Sequence, residues 1–211
     1  MIHSKNVFLF KIKYMKKLIE KALAQGKNYT EYRTHITDLL TEGKVTGNTQ
    51  SEALVGYSDL NTTRMKRLDK TIKSMDGFET ATEKIKENHT LLVLSEGWCG
   101  DAAQALPVLN KMSEANNHLS LKIVSRDENL ELMDLFLTNG GQAIPKVLII
   151  KNSDLKVIGD WGPRPSDAQK MIMDYKKEKG LIDEQIKIDL QKWYLKDKGV
   201  STQKENLEFF R

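Results

Sequence analysis

One cysteine, Cys99, stands among 211 residues, so no disulfide can form within the chain and oxidative stapling contributes nothing to its fold. A lone thiol fits a reducing compartment. Long apolar runs are missing as well. The longest near the start, Val7 to Phe10, has four residues, short of the roughly 7–15 that a secretory signal needs. No run approaches the roughly 20 that span a bilayer. A dominant charge sign is also lacking: 33 Lys and Arg oppose 29 Asp and Glu, and the net +4 does not call for nucleic acid as a partner. His3, His35, His89 and His118 show no close metal-ligand spacing, and with one cysteine a zinc site is not expected. These absences lead to the expectation of a cytoplasmic protein with no metal and no nucleic-acid or membrane partner.

What is present suffices for one full core: 39% of residues are apolar. Residues 1–89, where the excess of base falls, read as helices joined by polar turns. Leu18, Ile19, Ala22 and Leu23 share one helical face, and Tyr32, Ile36, Leu39 and Leu40 another, with Thr30 placed to cap it and Gly43 to end it. After a loop over 44–50, Leu60, Met65, Leu68, Ile72 and Met75 form a third stripe beginning after Ser58 or Asp59 and ending at Gly77. A further short helix is expected over 80–88. Residues 1–14 read as an upstream start or a loose tail.

At Thr90 the pattern changes. Leu91-Leu92-Val93-Leu94 is a short continuous apolar run, the mark of a strand covered on both faces. Gly97-Trp98-Cys99-Gly100 follows, then a helix over 101–116, a strand over 119–124 and a charged helix over 128–137. Two strands, 146–150 and 155–158, form a hairpin around Asn152-Ser153-Asp154, and a helix covers 165–179. The order β-α-β-α-β-β-α gives an α/β fold with helices on both faces of a mixed sheet. The segment 180–211 carries another helical stripe, Ile182, Ile186, Leu190 and Trp193, before Leu207, Phe209 and Phe210, which either pack or fray. The organisation expected is a helical extension over 1–89, an α/β domain over 90–179 and a second helical extension over 180–211.

A cysteine at a helix N-terminus meets the unpaired amides of the first turn and the positive end of the helix dipole. Both favour the reactive thiolate, so Cys99 is expected to be an accessible nucleophile of low pKa; the plainer alternative is a small buried filler. Asp101 either raises the thiol pKa by repulsion or steadies the helix start, and Glu96 reads as a solvated loop residue. The basic stretch Arg64, Lys66, Arg67, Lys70 and Lys73 reads as a solvated helix face.

Taken together, a buried strand running into Trp98-Cys99-Gly100-Asp101-Ala102, Pro107 eight residues after Cys99, and Ile144-Pro145 before the next strand resemble the thioredoxin superfamily over roughly 90–179. The resemblance implies a three-layer thioredoxin-like fold. It also implies a cis-proline at Pro145, with the backbone of Ile144 presented to a substrate beside the nucleophile Cys99 and with Trp98 as an apolar contact. The stretch Gln50-Ser51-Glu52-Ala53-Leu54 resembles the helical extension of one group of bacterial thioredoxin-like proteins.

Two family features are missing. Ala102 stands where the resolving cysteine would, and Val93 where a buried acid would serve it. The dithiol cycle cannot run without a second sulfur. The resemblance therefore implies a monothiol disulfide oxidoreductase, with no bound cofactor and an external thiol such as glutathione as resolving agent. Its partners would be protein thiols or disulfides, or a low-molecular-weight thiol. The Asp-Ala ending differs from the Phe-Ser of iron–sulfur-carrying monothiol glutaredoxins, which argues against a cluster. The competing expectation is a redox-inactive binding module.

Overall fold

The computed structural model describes residues 2–210; Met1 and Arg211 lie outside the described residues. Four strands, β1 (His89–Ser95), β2 (Leu119–Ser125), β3 (Lys146–Lys151) and β4 (Lys156–Trp161), form one sheet in the order β2-β1-β3-β4. β1 runs parallel to β2, and β3 is antiparallel to both β1 and β4.

The apolar run of β1 divides by parity, because successive strand side chains point to opposite faces. Leu91 and Val93 join Leu121, Ile123, Val147 and Ile149 in one core cluster, while Leu92 and Leu94 join Val124, Leu148 and Ile150 in another. All four residues of the run are fully buried. Helices must therefore cover both faces.

Four helices precede the sheet, and three of them lie on its first face. α1 (Ile2–Gln25) sets Leu18, Ile19 and Ala22 against the second cluster, together with α6 (Leu130–Met133). α2 (Tyr29–Thr41) and α3 (Glu52–Thr71) contribute Tyr29, Tyr32, Ile36 and Met65 to the first cluster, beside α5 (Gly100–Glu114). α4 (Phe78–Thr82) buries Phe78 there. After the sheet come α7 (Ser166–Lys179), α8 (Glu184–Asp197) and α9 (Val200–Leu207), ending in a 3-10 turn over Glu208–Phe210. α7 and α8 share a small core of Ala168, Ile172, Ile186, Leu190 and Tyr194.

Several boundaries depart from the sequence reading. Residues 2–14 are not a loose tail but the first half of α1. Asn28, rather than Thr30, caps α2, because its side chain accepts from the Glu31 amide while Glu31 reaches back to the Asn28 amide. α3 is capped by Ser51, whose hydroxyl accepts from the Leu54 amide, so Ser58 and Asp59 lie inside the helix and Ser58 is buried. It ends at Thr71, and Gly77 caps α4 instead of closing α3. The helix expected over 128–137 shrinks to Leu130–Met133, because the following amides of Leu135 and Phe136 turn back tightly onto Leu132 and Met133. Leu207 is buried, and Phe209 and Phe210 pack against the first cluster instead of fraying. Among the described residues no helix is long and apolar enough to cross a membrane.

Candidate functional site

The chain leaves β1 at Ser95 and turns once before entering α5. The Cys99 amide donates to the Glu96 carbonyl at 3.0 Å, and the Cys99 carbonyl accepts from the Ala103 amide at 3.1 Å. This places Cys99 at the N-cap of α5, with Gly100 and Asp101 in the first turn. The Ile144–Pro145 peptide bond is cis, and the Cys99 Sγ donates to the Ile144 carbonyl at 3.3 Å. Gly162 closes this side of the site. It has φ +114°, and a Cβ there would meet the Pro145 carbonyl oxygen at 2.1 Å, so no side chain fits.

Cys99 is not the accessible, low-pKa thiol that its helix position suggests. Only 8% of it is exposed. Burial pushes the thiol up to about 12, and the Asp101 charge adds to that; the amides of Ala102 and Asp101 and the Arg164 guanidinium pull the other way and are outweighed.

The turn that carries Cys99 is covered by residues that lie before the sheet. Thr46 accepts the Gly97 amide on its hydroxyl at 2.8 Å and the Trp98 indole N–H on its carbonyl at 3.2 Å. From α3, the fully buried Asn61 donates to the Gly97 carbonyl at 2.9 Å. Arg64 in turn donates to Asn61 at 3.0 Å, and its guanidinium lies 3.5 Å from where a Cβ on Gly100 would sit. Ile36 of α2 closes on Gly97, leaving 3.0 Å to a Cβ built there. The loop over 44–50, α2 and α3 thus clamp the turn over 96–100. Arg64 is therefore not on a solvated face, as its basic stretch implied.

Trp98 is half-buried, with the Arg126 guanidinium 5.4 Å from its ring centroid. Ala102 is sealed in the first core cluster, and Val93 is buried on the same side of the sheet. Pro107 is buried inside α5.

Two acids depart from what the sequence implies. Glu96 is not solvated but fully buried. Its Oε1 accepts from the Ser125 hydroxyl at 2.8 Å and the Asp127 amide at 3.0 Å. Burial holds its carboxyl above the usual carboxylate range. Asp101 is more than a first-turn acid. It pairs with Arg164 at 2.7 Å and accepts the Tyr194 phenol of α8 at 2.8 Å. Sequence reasoning missed Thr46, Asn61, Arg164 and Tyr194. Only Asn61 left a signal, since it falls four residues before Met65 on the buried side of α3.

A family profile described as Thioredoxin matches residues 47–178, more than half of the chain and inclusive of α3. No curated protein gives a match. Among solved structures, a protein of unknown function from Pseudomonas aeruginosa superposes with a TM-score of 0.56 at 15% identity, covering 87% of this chain and 96% of that one. An HIV epitope-scaffold superposes with a TM-score of 0.53 at 16% identity, covering 87% of this chain and 97% of that one. These likenesses show the fold alone. With the profile match over that span, and a cysteine-capped helix facing an Ile-Pro turn across a mixed sheet, the chain belongs to the thioredoxin family.

Proposed function

We propose that this chain is a thioredoxin-fold binding module whose Cys99 rests as a neutral, covered thiol and does not turn over disulfides on its own. The observation that carries this reading is the clamp on the turn over 96–100. The Cys99 Sγ is bonded to the carbonyl of Ile144, beside which an extended substrate would lie, and α3 lies over the turn through Asn61 and Arg64. The missing second sulfur at Ala102 supports the same conclusion.

A second reading, monothiol exchange, is favoured by one feature: the amides of Asp101 and Ala102 approach the sulfur and stabilise a thiolate once it forms. In that reaction the Cys99 thiolate attacks a disulfide, a mixed disulfide forms and the leaving sulfur departs as a thiolate. An external thiol such as glutathione, or a protein thiol, then resolves the adduct. For this the α3 clamp must open.

The pH dependence of Cys99 alkylation by iodoacetamide separates the two. With the thiol near 12 rather than its ordinary 9.0, the native protein carries ~1000-fold less thiolate at neutral pH than a free cysteine. The rate should climb with pH through 9 without levelling, and denaturant should raise it sharply. A plateau below pH 9 in the folded protein, with a mixed disulfide formed by oxidised glutathione, would establish exchange instead.

A further inference from the structure

The basic stretch of α3 is only partly spent on the clamp. Past Thr71 the chain runs alongside α8 and α9 and leaves a groove of about 470 Å³ between them. Leu68, Ile72 and Leu195 supply an apolar floor, and Leu195 is 52% exposed. Arg67, Lys73 and Lys198 stand on the rim. No acidic residue lines the groove, and none of these three cations is in an ion pair among the described residues. Elsewhere on α8 the surface behaves differently: Lys187 and Lys192 pair with Glu184 and Asp189 on their own helix.

We propose that this groove is the docking surface of the module and that its occupant is an acidic amphipathic segment of a partner protein. Apolar side chains at helical spacing would fill the floor between α3 and α8, while Asp and Glu between them would meet Arg67, Lys73 and Lys198. The charge pattern decides the class of occupant. A basic segment would face three uncompensated cations, and a purely apolar one would leave them without partners. The groove also touches the Cys99 scaffold. Tyr194 forms part of its wall and donates to Asp101, two residues from the thiol.

This proposal rests on reading the chain as a binding module, so the two are tested on the same samples by different signals. The probe is a fluorescein-labelled peptide with Leu and Phe at helical spacing and Glu between them, compared by anisotropy with the same peptide carrying Lys in place of Glu. At low salt the acidic peptide should bind about tenfold or more tightly than the basic one, and high salt should erase most of the difference. The double variant Arg67→Glu with Lys198→Glu alters exposed side chains and should reverse the preference, with an unchanged melting transition. Equal affinity for the two peptides, or a preference that survives the double variant, overturns the proposal. Self-association of the chain that the double variant abolishes also overturns it and assigns the groove to a second copy. A fast, low-pKa Cys99 beside an intact peptide preference removes the reading of Cys99 and leaves the groove standing.

Discussion

Asp101 lies one residue into α5, where the helix dipole favours a carboxylate, and Arg164 and Tyr194 hold it from the far side of the domain. Its charge also raises the Cys99 thiol. Asp101→Asn should therefore move two readouts in opposite senses. Stability should fall by about 2–4 kcal/mol, because a mostly buried guanidinium loses its partner, as a chemical-denaturation midpoint would record. Alkylation of Cys99 below the folding transition should become faster, since the neighbouring negative charge is gone. A slower thiol in this variant would mean that Asp101 acts on Cys99 through packing and not through charge. The other acid at the site, Glu96, shows why composition could not rank these residues. Both acids flank the same turn, and whether each is solvated depends on residues 29 or more positions away: Ser125 and Asp127 for Glu96, Arg164 and Tyr194 for Asp101.

Among the elements, those whose pattern is self-contained were legible. β1 follows from four consecutive apolar residues, β2 and β3 from shorter runs, and α5 from a cysteine, a glycine and an apolar stripe. The apolar pattern of α3 points to too late a start, because Gly56 and Ser58 interrupt it. Ser58 nonetheless packs inside, and the cap lies further back at Ser51. That error hid the role of the helix, since a helix starting near residue 60 gives Asn61 no reason to be buried. Asn61→Ala removes the bond from α3 to the Gly97 carbonyl and leaves that acceptor without a donor. The expected cost is about 1–3 kcal/mol, with faster Cys99 alkylation under native conditions as the clamp loosens. An unchanged alkylation rate would separate α3 from the protection of the thiol. The motif residues were thus visible in sequence, whereas the residues that cover them were not, because covering is a contact between distant segments.

At the scale of the whole molecule, the boundaries read at 89 and 179 do not coincide with gaps in packing. The first core cluster takes side chains from α2, α3, the sheet, α5 and the C-terminal turn. α9 ties three regions together. Gln203 accepts from the Met75 amide at 3.0 Å and donates to the Lys73 carbonyl at 3.0 Å, while Glu205 accepts from the Trp161 indole at 2.6 Å and the Ser166 amide at 2.8 Å. A chain ending at residue 179 would leave these donors without partners and the face of β4 at Gly159 without the Phe209 ring that lies against it. It should lose its cooperative thermal transition by circular dichroism, whereas the 211-residue chain keeps a single one. A truncated chain melting as sharply as the whole would show that 180–211 is an appendage.

Because Cys99 is the chain's one thiol and is held shut by contacts from three separate segments, it is also a built-in gauge of opening. The ratio of its modification rate in the native state to that in denaturant converts directly into the free energy of lifting the clamp, without a label being introduced. Comparing that energy with the global unfolding energy would tell whether α3 moves as a unit of its own or only when everything does. Each variant that touches the clamp can be placed on the same scale.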